Sequence, residues 1–261
     1  MKNELKVAII QSDLYWESAD ANLAMFEEKI WQIEQADLII LPEMFTTGFS
    51  TRPEGISEPS NGKTMRWMKQ MAAQTKAVII GSYIIKDYPN FYNRCHVVFP
   101  DGNFSYYDKR HLFSLAGEDR HFTAGDKRLV VDIHGWNVCP LICYDLRFPV
   151  WSRSASPTRK FEYDLLIYVA NWPTPRINAW DTLLAARAIE NQSYCVGVNR
   201  MGTDGVKAAY NGHSGLYDYK GQQLLFSDKE EILQLSIKRD EMEAFRERFP
   251  FQNDADSFEI Q

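Results

Sequence analysis

The chain has 261 residues, 45% hydrophobic and 25% charged, which is enough to bury a sizeable core. Its 29 basic and 35 acidic residues give a net charge of −6 with no basic run longer than a pair, which argues against a nucleic-acid surface built on clustered Lys and Arg. No apolar stretch approaches the roughly 20 residues of a membrane span, and Val7 to Ile10 is too short for a signal-peptide core, so a cytoplasmic protein with no membrane partner is expected.

In chain order, short β-branched runs alternate with helical patterns. Lys6–Ser12 reads as a strand and Asp20–Gln35 as a helix, with Leu23, Phe26, Ile30 and Ile33 at helical spacing and Asp20 as its N-cap. Asp37–Leu41 is a strand, Thr64–Thr75 a helix and Ala77–Ile85 a strand. Asn93–Phe99 and Asn103–Asp108 flank Pro100-Asp101-Gly102 and read as a hairpin. Trp136–Ile142 and Leu165–Val169 are buried strands, Asn178–Asn191 a third helix and Tyr194–Val198 another strand. Gly212–Tyr217 and Gln222–Phe226 form a second hairpin, Glu231–Ile237 a closing strand and Arg239–Arg248 a polar last helix. No linker or composition break divides the chain, so residues 1–261 are expected to form one domain, with 249–261 as a C-terminal extension. The mixture of βαβ units and hairpins predicts a layered α/β sandwich.

The strand ends form a pattern. Apolar runs finish in Glu43, Cys143, Asn171 and Asn199, and parallel strands would gather these side chains along one sheet edge. The cysteines at 95, 139, 143 and 195 are too few and too scattered for a disulfide framework. On one strand, Cys139 and Cys143 would lie about 13 Å apart, too far to pair.

Cys143 stands where a buried run gives way to a polar loop. A thiol nucleophile there needs a base. His96, His111, His121, His134 and His213 occupy no context that demands the role, whereas Glu43, behind four apolar residues and a proline, is a partly desolvated carboxylate suited to it. Lys109, after Tyr106-Tyr107-Asp108, could stabilise a thiolate and donate to an oxyanion. Glu118 is weaker on its own terms. Gly62-Lys63-Thr64 fails as a P-loop and Gly212–Leu216 as a nucleophile elbow, and there is no His-Glu-x-x-His, so no metal or other cofactor is indicated.

Leu41–Phe45, Tyr107–Phe113 and Cys143–Pro149 resemble, in order, the Glu, Lys and Cys blocks of the nitrilase (carbon–nitrogen hydrolase) superfamily, and Ala186–Gln192 resembles a further block. Pro42–Phe49, Asp108–Phe113, Cys143–Arg153 and Val169–Arg176 are similar to its omega-amidase branch, which hydrolyses the terminal amide of 2-oxo acid amides. The resemblance implies a four-layer αββα sandwich, a homodimer, Glu43 as general base, Lys109 on the oxyanion, Cys143 as nucleophile and Glu118 as a second carboxylate near the substrate amide. The Tyr144 backbone N–H would join Lys109 on the oxyanion, and Asn171 would contact the substrate. Arg176 would anchor the substrate carboxylate, with Phe45 and Trp172 as pocket walls, while Arg147, Arg187 and Glu190 read as structural. The partners implied are a small amide and water. A nitrilase, carbamoylase, other aliphatic amidase or acyl-transferring relative, and a catalytically silent binding protein, are the competing readings.

Overall fold

The computed structural model describes residues 2–154, 161–256 and 258. Period-two burial organises it. The first strand, β1 (Glu4–Gln11), is followed by helix α1 (Ala19–Ile30), β2 (Leu38–Ile40), α2 (Lys63–Thr75), β3 (Val78–Asp87), β4 (Asn90–Val98) and β5 (Phe104–Asp108). β1, β2 and β3 run parallel, β4 and β5 return antiparallel, and the last strand, β14 (Glu231–Lys238), pairs antiparallel with the outer side of β1. Along these strands Val7, Ile9, Leu38, Ile40, Val78 and Ile80 face one core, and Ala8, Ile10, Ile39 and Ile79 face another. Leu23, Phe26, Met65, Met68 and Met71 of α1 and α2 fill the second core. Two helices therefore cover one face of the sheet, as alternation along a doubly buried sheet requires.

The other face meets a second six-stranded sheet. Its strands are β6 (Val131–Ile133), β7 (Trp136–Ile142), β8 (Leu165–Val169), β9 (Tyr194–Val198), β12 (Ser214–Tyr217) and β13 (Gln223–Ser227). They lie in the order β13-β12-β9-β8-β7-β6, with β7, β8 and β9 parallel. A short helix α3 (Pro149–Ser152) and the long α4 (Ile177–Asn191) belong to this half, and α4 packs Trp180, Leu184 and Ala188 onto the second sheet, the first two against Gly197 of β9. A small hairpin of β10 (Met201–Thr203) and β11 (Ala209–Asn211) stands apart from both sheets. The last helix, α5 (Arg239–Arg248), is stitched down by the buried Arg246, which donates to Asp164 Oδ1 at 2.9 Å and to the Tyr163 carbonyl. These layers, helices–sheet–sheet–helices, are the expected αββα sandwich.

Several boundaries differ from the sequence reading. Ser18, not Asp20, is the α1 N-cap, and the helix stops at Ile30 rather than Gln35. Beyond it Gln32 and Ile33 bond three residues back, and Ile33 still packs on the helix-side core without being helical. β3 and β4 form a hairpin of their own across Tyr88-Pro89. The strand ends do not share one edge: Cys143, Asn171 and Asn199 leave the second sheet, whereas Glu43 leaves the first. Of the C-terminal segment 249–261, residues 257 and 259–261 lie outside the described residues. Phe249 packs on its own subunit, its carbonyl accepting from Gln192 Nε2 and its ring lying 5.1 Å from that of Phe245. Among the described residues no helix is long and apolar enough to cross a membrane.

Candidate active site

Where the two sheets face each other at the ends of their parallel strands, the polar side chains converge. Cys143 follows β7 directly and adopts φ +43°, a left-handed conformation that is strained for any residue but glycine. Asp145 holds this turn. Its carboxylate accepts from the Ile142 and His111 backbone N–H groups at 3.0 Å each and from the Tyr107 hydroxyl at 2.7 Å. Arg187 adds a bond to the Leu146 carbonyl at 2.6 Å while pairing with Glu190 at 3.1 Å, the structural role expected of that pair.

Glu43 lies three residues beyond β2. The chain turns sharply at Met44, also at φ +43°, which separates the environments of neighbouring side chains. Glu43 goes to the inter-sheet side, fully buried. Phe45 goes into the helix-side core against Phe26, Trp67 and Tyr83, so it is not a pocket wall as the sequence suggested. A Cβ at Gly81 would come within 2.9 Å of the Phe45 ring, so that β3 position must stay bare for the ring to fit.

Lys109 follows β5, its backbone N–H bonded to the Asn93 carbonyl at 3.0 Å and its own carbonyl to the Gly125 N–H at 2.9 Å. Its ammonium is fully buried between two carboxylates, 2.9 Å from Glu43 Oε1 and 2.9 and 3.1 Å from the two oxygens of Glu118. Glu118 opens a 3-10 turn after Gly117, and its Oε2 accepts from the Phe113 N–H at 2.6 Å. Asn93 on β4 donates to Glu43 Oε1 at 2.8 Å and to Glu118 Oε1 at 3.3 Å. Glu43 Oε2 accepts from the Asn171 N–H at 2.8 Å, and the Asn171 side-chain amide donates to the Glu43 carbonyl at 2.6 Å. The Asn171 amide nitrogen is thus committed to tying the two sheets together at the base of the site.

The electrostatics follow from this packing. Burial, reinforced by the charge of Glu43, pushes the Cys143 thiol well above its usual range, with Lys109 pulling the other way. Ionising the thiol therefore calls for a base. Burial weighs against the Lys109 charge, but Glu118 and Glu43 together outweigh it and hold the ammonium above the ordinary lysine value. Burial also raises the Glu118 carboxyl against the opposing pull of Lys109. One cation against two carboxylates explains why a third negative charge on sulfur is disfavoured.

Cys143 and Lys109 reach the wall of a cavity of about 510 Å³, within the ordinary size of small-molecule sites. Phe49, Phe113, Tyr144, Asn171 and Trp172 line it, together with the loop joining β10 to β11. The Trp172 backbone is fixed by reciprocal bonds with the Asn199 side chain. Arg176 also lines the cavity, its guanidinium 5.0 Å from the Phe113 ring. Arg147, read from sequence as an ion-paired structural residue, instead lines the cavity with its guanidinium 4.9 Å from the Trp172 ring. The sequence reading also missed Phe49, Phe113 and Asn93. Phe113 lay within the Lys109 block, and its position there was the available signal. Among the described residues no histidine lines the cavity: His96 is stacked on Tyr83 and pushed down to about 3 by burial, His111 binds Asp145, and His213 binds Asp181.

Comparison with known proteins gives the family. The family model for carbon–nitrogen hydrolases matches residues 6–247. Over 256 residues the chain is 43% identical to a Yersinia enterocolitica protein named omega-amidase YafV, covering 97% of this chain and 98% of the relative. It is 29% identical over 255 residues to the 2-oxoglutaramate amidase of Bacillus subtilis (strain 168), covering 95% and 96%. A solved CN-hydrolase superfamily protein from Xanthomonas campestris, carrying an arsenic adduct in its active site, superposes with a TM-score of 0.97 at 37% identity over the whole of both chains.

Proposed function

The chain belongs to the carbon–nitrogen hydrolase family, and from that premise we propose that it is an omega-amidase, hydrolysing the terminal amide of 2-oxo dicarboxylic acid monoamides such as 2-oxoglutaramate and 2-oxosuccinamate. The observation that carries the reading is the Cys143 thiol at a cavity wall shared with Lys109, backed by the buried Glu43–Lys109–Glu118 cluster.

In the first half-reaction Cys143 Sγ attacks the amide carbonyl as Glu43 takes the thiol proton. Lys109 and the Tyr144 backbone N–H receive the oxyanion. Lys109 is suited to this because it contacts both oxygens of Glu118, so it can turn one N–H to the substrate and keep the pair. Glu43 returns the proton to the leaving nitrogen and ammonia departs, leaving a thioester on Cys143. In the second half Glu43 accepts a proton from water as the water attacks the thioester. The thiolate then leaves and recovers that proton, giving the acid. Glu118 orients Lys109 and the substrate amide.

The substrate carboxylate needs a cation. Arg176, the candidate anchor expected from sequence, and Arg147 both line the cavity, and either guanidinium could grip the carboxylate bidentately. The same proposal takes residues 1–261 as a single domain acting as a cytoplasmic homodimer on a small amide and water, with the dimer tested by light scattering. The reaction is tested by ammonia release from 2-oxoglutaramate, 2-oxosuccinamate, simple nitriles and N-carbamoyl compounds, comparing the native protein with Cys143→Ala. Release confined to the oxo-acid amides and lost in the variant is expected; equal release from both proteins would remove the mechanism.

A further inference from the structure

Asn93 occupies an interior position of β4, in alternation with Cys95 and Val97, both of which lie in the core between the sheets. An asparagine there, with no exposed surface, must find partners. Its side-chain nitrogen donates to both carboxylates of the cluster, Glu43 Oε1 at 2.8 Å and Glu118 Oε1 at 3.3 Å, and its backbone carbonyl accepts the backbone N–H of Lys109 at 3.0 Å. Its Oδ1 accepts no hydrogen bond from the described residues. A residue kept for packing would not leave a buried acceptor unsatisfied, so the donors to the carboxylates are what this position supplies.

We propose that Asn93 is a positioning residue, its amide bridging Glu43 and Glu118 so that each is held against Lys109 and the free lone pairs of Glu43 Oε2 are turned to the Cys143 thiol. Oε1 of Glu43 accepts from both Lys109 and Asn93, whereas Oε2 accepts from the Asn171 N–H, and the Cys143 thiol is in hydrogen-bond contact with the same carboxylate. The thiol proton therefore passes to Oε2. The charged and titratable groups around the amide are Glu43 after β2, Lys109 after β5, Glu118 of the 3-10 turn and, beyond them, Cys143 after β7. The inference rests on the reading of Glu43 as the base for Cys143, and its test includes a readout independent of substrate.

The test is the pH profile of Cys143 alkylation by iodoacetamide, followed by peptide mass, in the native protein, Asn93→Leu and Asn93→Ser, alongside ammonia release from 2-oxoglutaramate. Removing a donor to the charged carboxylates raises the cluster's hold on a proton. The acid limb of alkylation should move up by about one pH unit in both variants, making the reaction about tenfold slower on its acid side. An unmoved limb in variants with native circular dichroism overturns the inference, as does failure of both variants to fold, which would make Asn93 a fold residue. A native protein that releases no ammonia while the limb still shifts would sink the amidase reading and leave the role of Asn93 standing.

Discussion

Lys109→Met is the perturbation whose cost can be worked most directly from the structure. The ammonium has no exposed surface and sits 2.9 Å from one oxygen each of Glu43 and Glu118, also unexposed. Methionine fills comparable space without charge and leaves two carboxylates facing each other. Removing one partner of a buried ion pair costs about 3–5 kcal/mol, which in a chain of this size lowers the melting temperature by roughly 6–20 °C. The pH dependence has a definite sign. Burial already raises Glu118 above its unfolded value while Lys109 opposes the rise, so without Lys109 the folded-state value climbs further. A carboxyl raised in the folded state binds a proton that the unfolded chain has released, and that advantage is lost as pH rises through the folded value. The deficit of Lys109→Met should therefore be smaller at pH 5 than at pH 8. Differential scanning calorimetry of both proteins at the two pH values is the assay. Equal melting temperatures at pH 8, or a deficit independent of pH, would refute the assignment of Lys109 as the counter-charge of a buried dicarboxylate.

Glu43→Gln should fold and bind substrate yet lose about 10²–10⁴-fold in kcat, as expected for removal of a general base, and steady-state kinetics checks this. Arg147→Ala and Arg176→Ala should each raise KM for 2-oxoglutaramate more than for a simple aliphatic amide lacking the carboxylate; an unchanged ratio for one of them removes that arginine as the anchor. Asp164→Ala, remote from the cavity, leaves Arg246 buried without its carboxylate. It should cost about 3–5 kcal/mol in urea unfolding, with kcat per folded molecule unchanged.

What could be read along the chain and what could not divide on a physical line. Glu43, Lys109 and Cys143 stood out because each terminates or follows a strand, where an apolar period-two run breaks into a polar side chain, while the roles expected of them came from the resemblance of their blocks to the nitrilase superfamily. The sandwich was legible from the same periodicity. Phe45 was misplaced because the reversal at Met44 depends on a positive φ that no sequence periodicity reveals. Arg147 looked like a loop ion pair until the packing of Trp172 beneath it showed that it lines the cavity. Asn93 resembled any polar residue in a hairpin strand, since its significance depends on three groups brought from 50, 25 and 16 residues away along the chain. The wall contributed by the loop between β10 and β11 was missed for a related reason: its three-residue strands are too short to show alternation.

The central claim is that Cys143 carries the acyl group. Rapid acid quench of the enzyme during turnover of 2-oxoglutaramate, followed by peptide mapping, tests it most directly. A base-labile adduct of the 2-oxoglutaryl mass is expected on the Cys143 peptide and is absent from Cys143→Ala. Turnover that releases ammonia with no adduct on Cys143 at any quench time, and that survives the substitution, would contradict it.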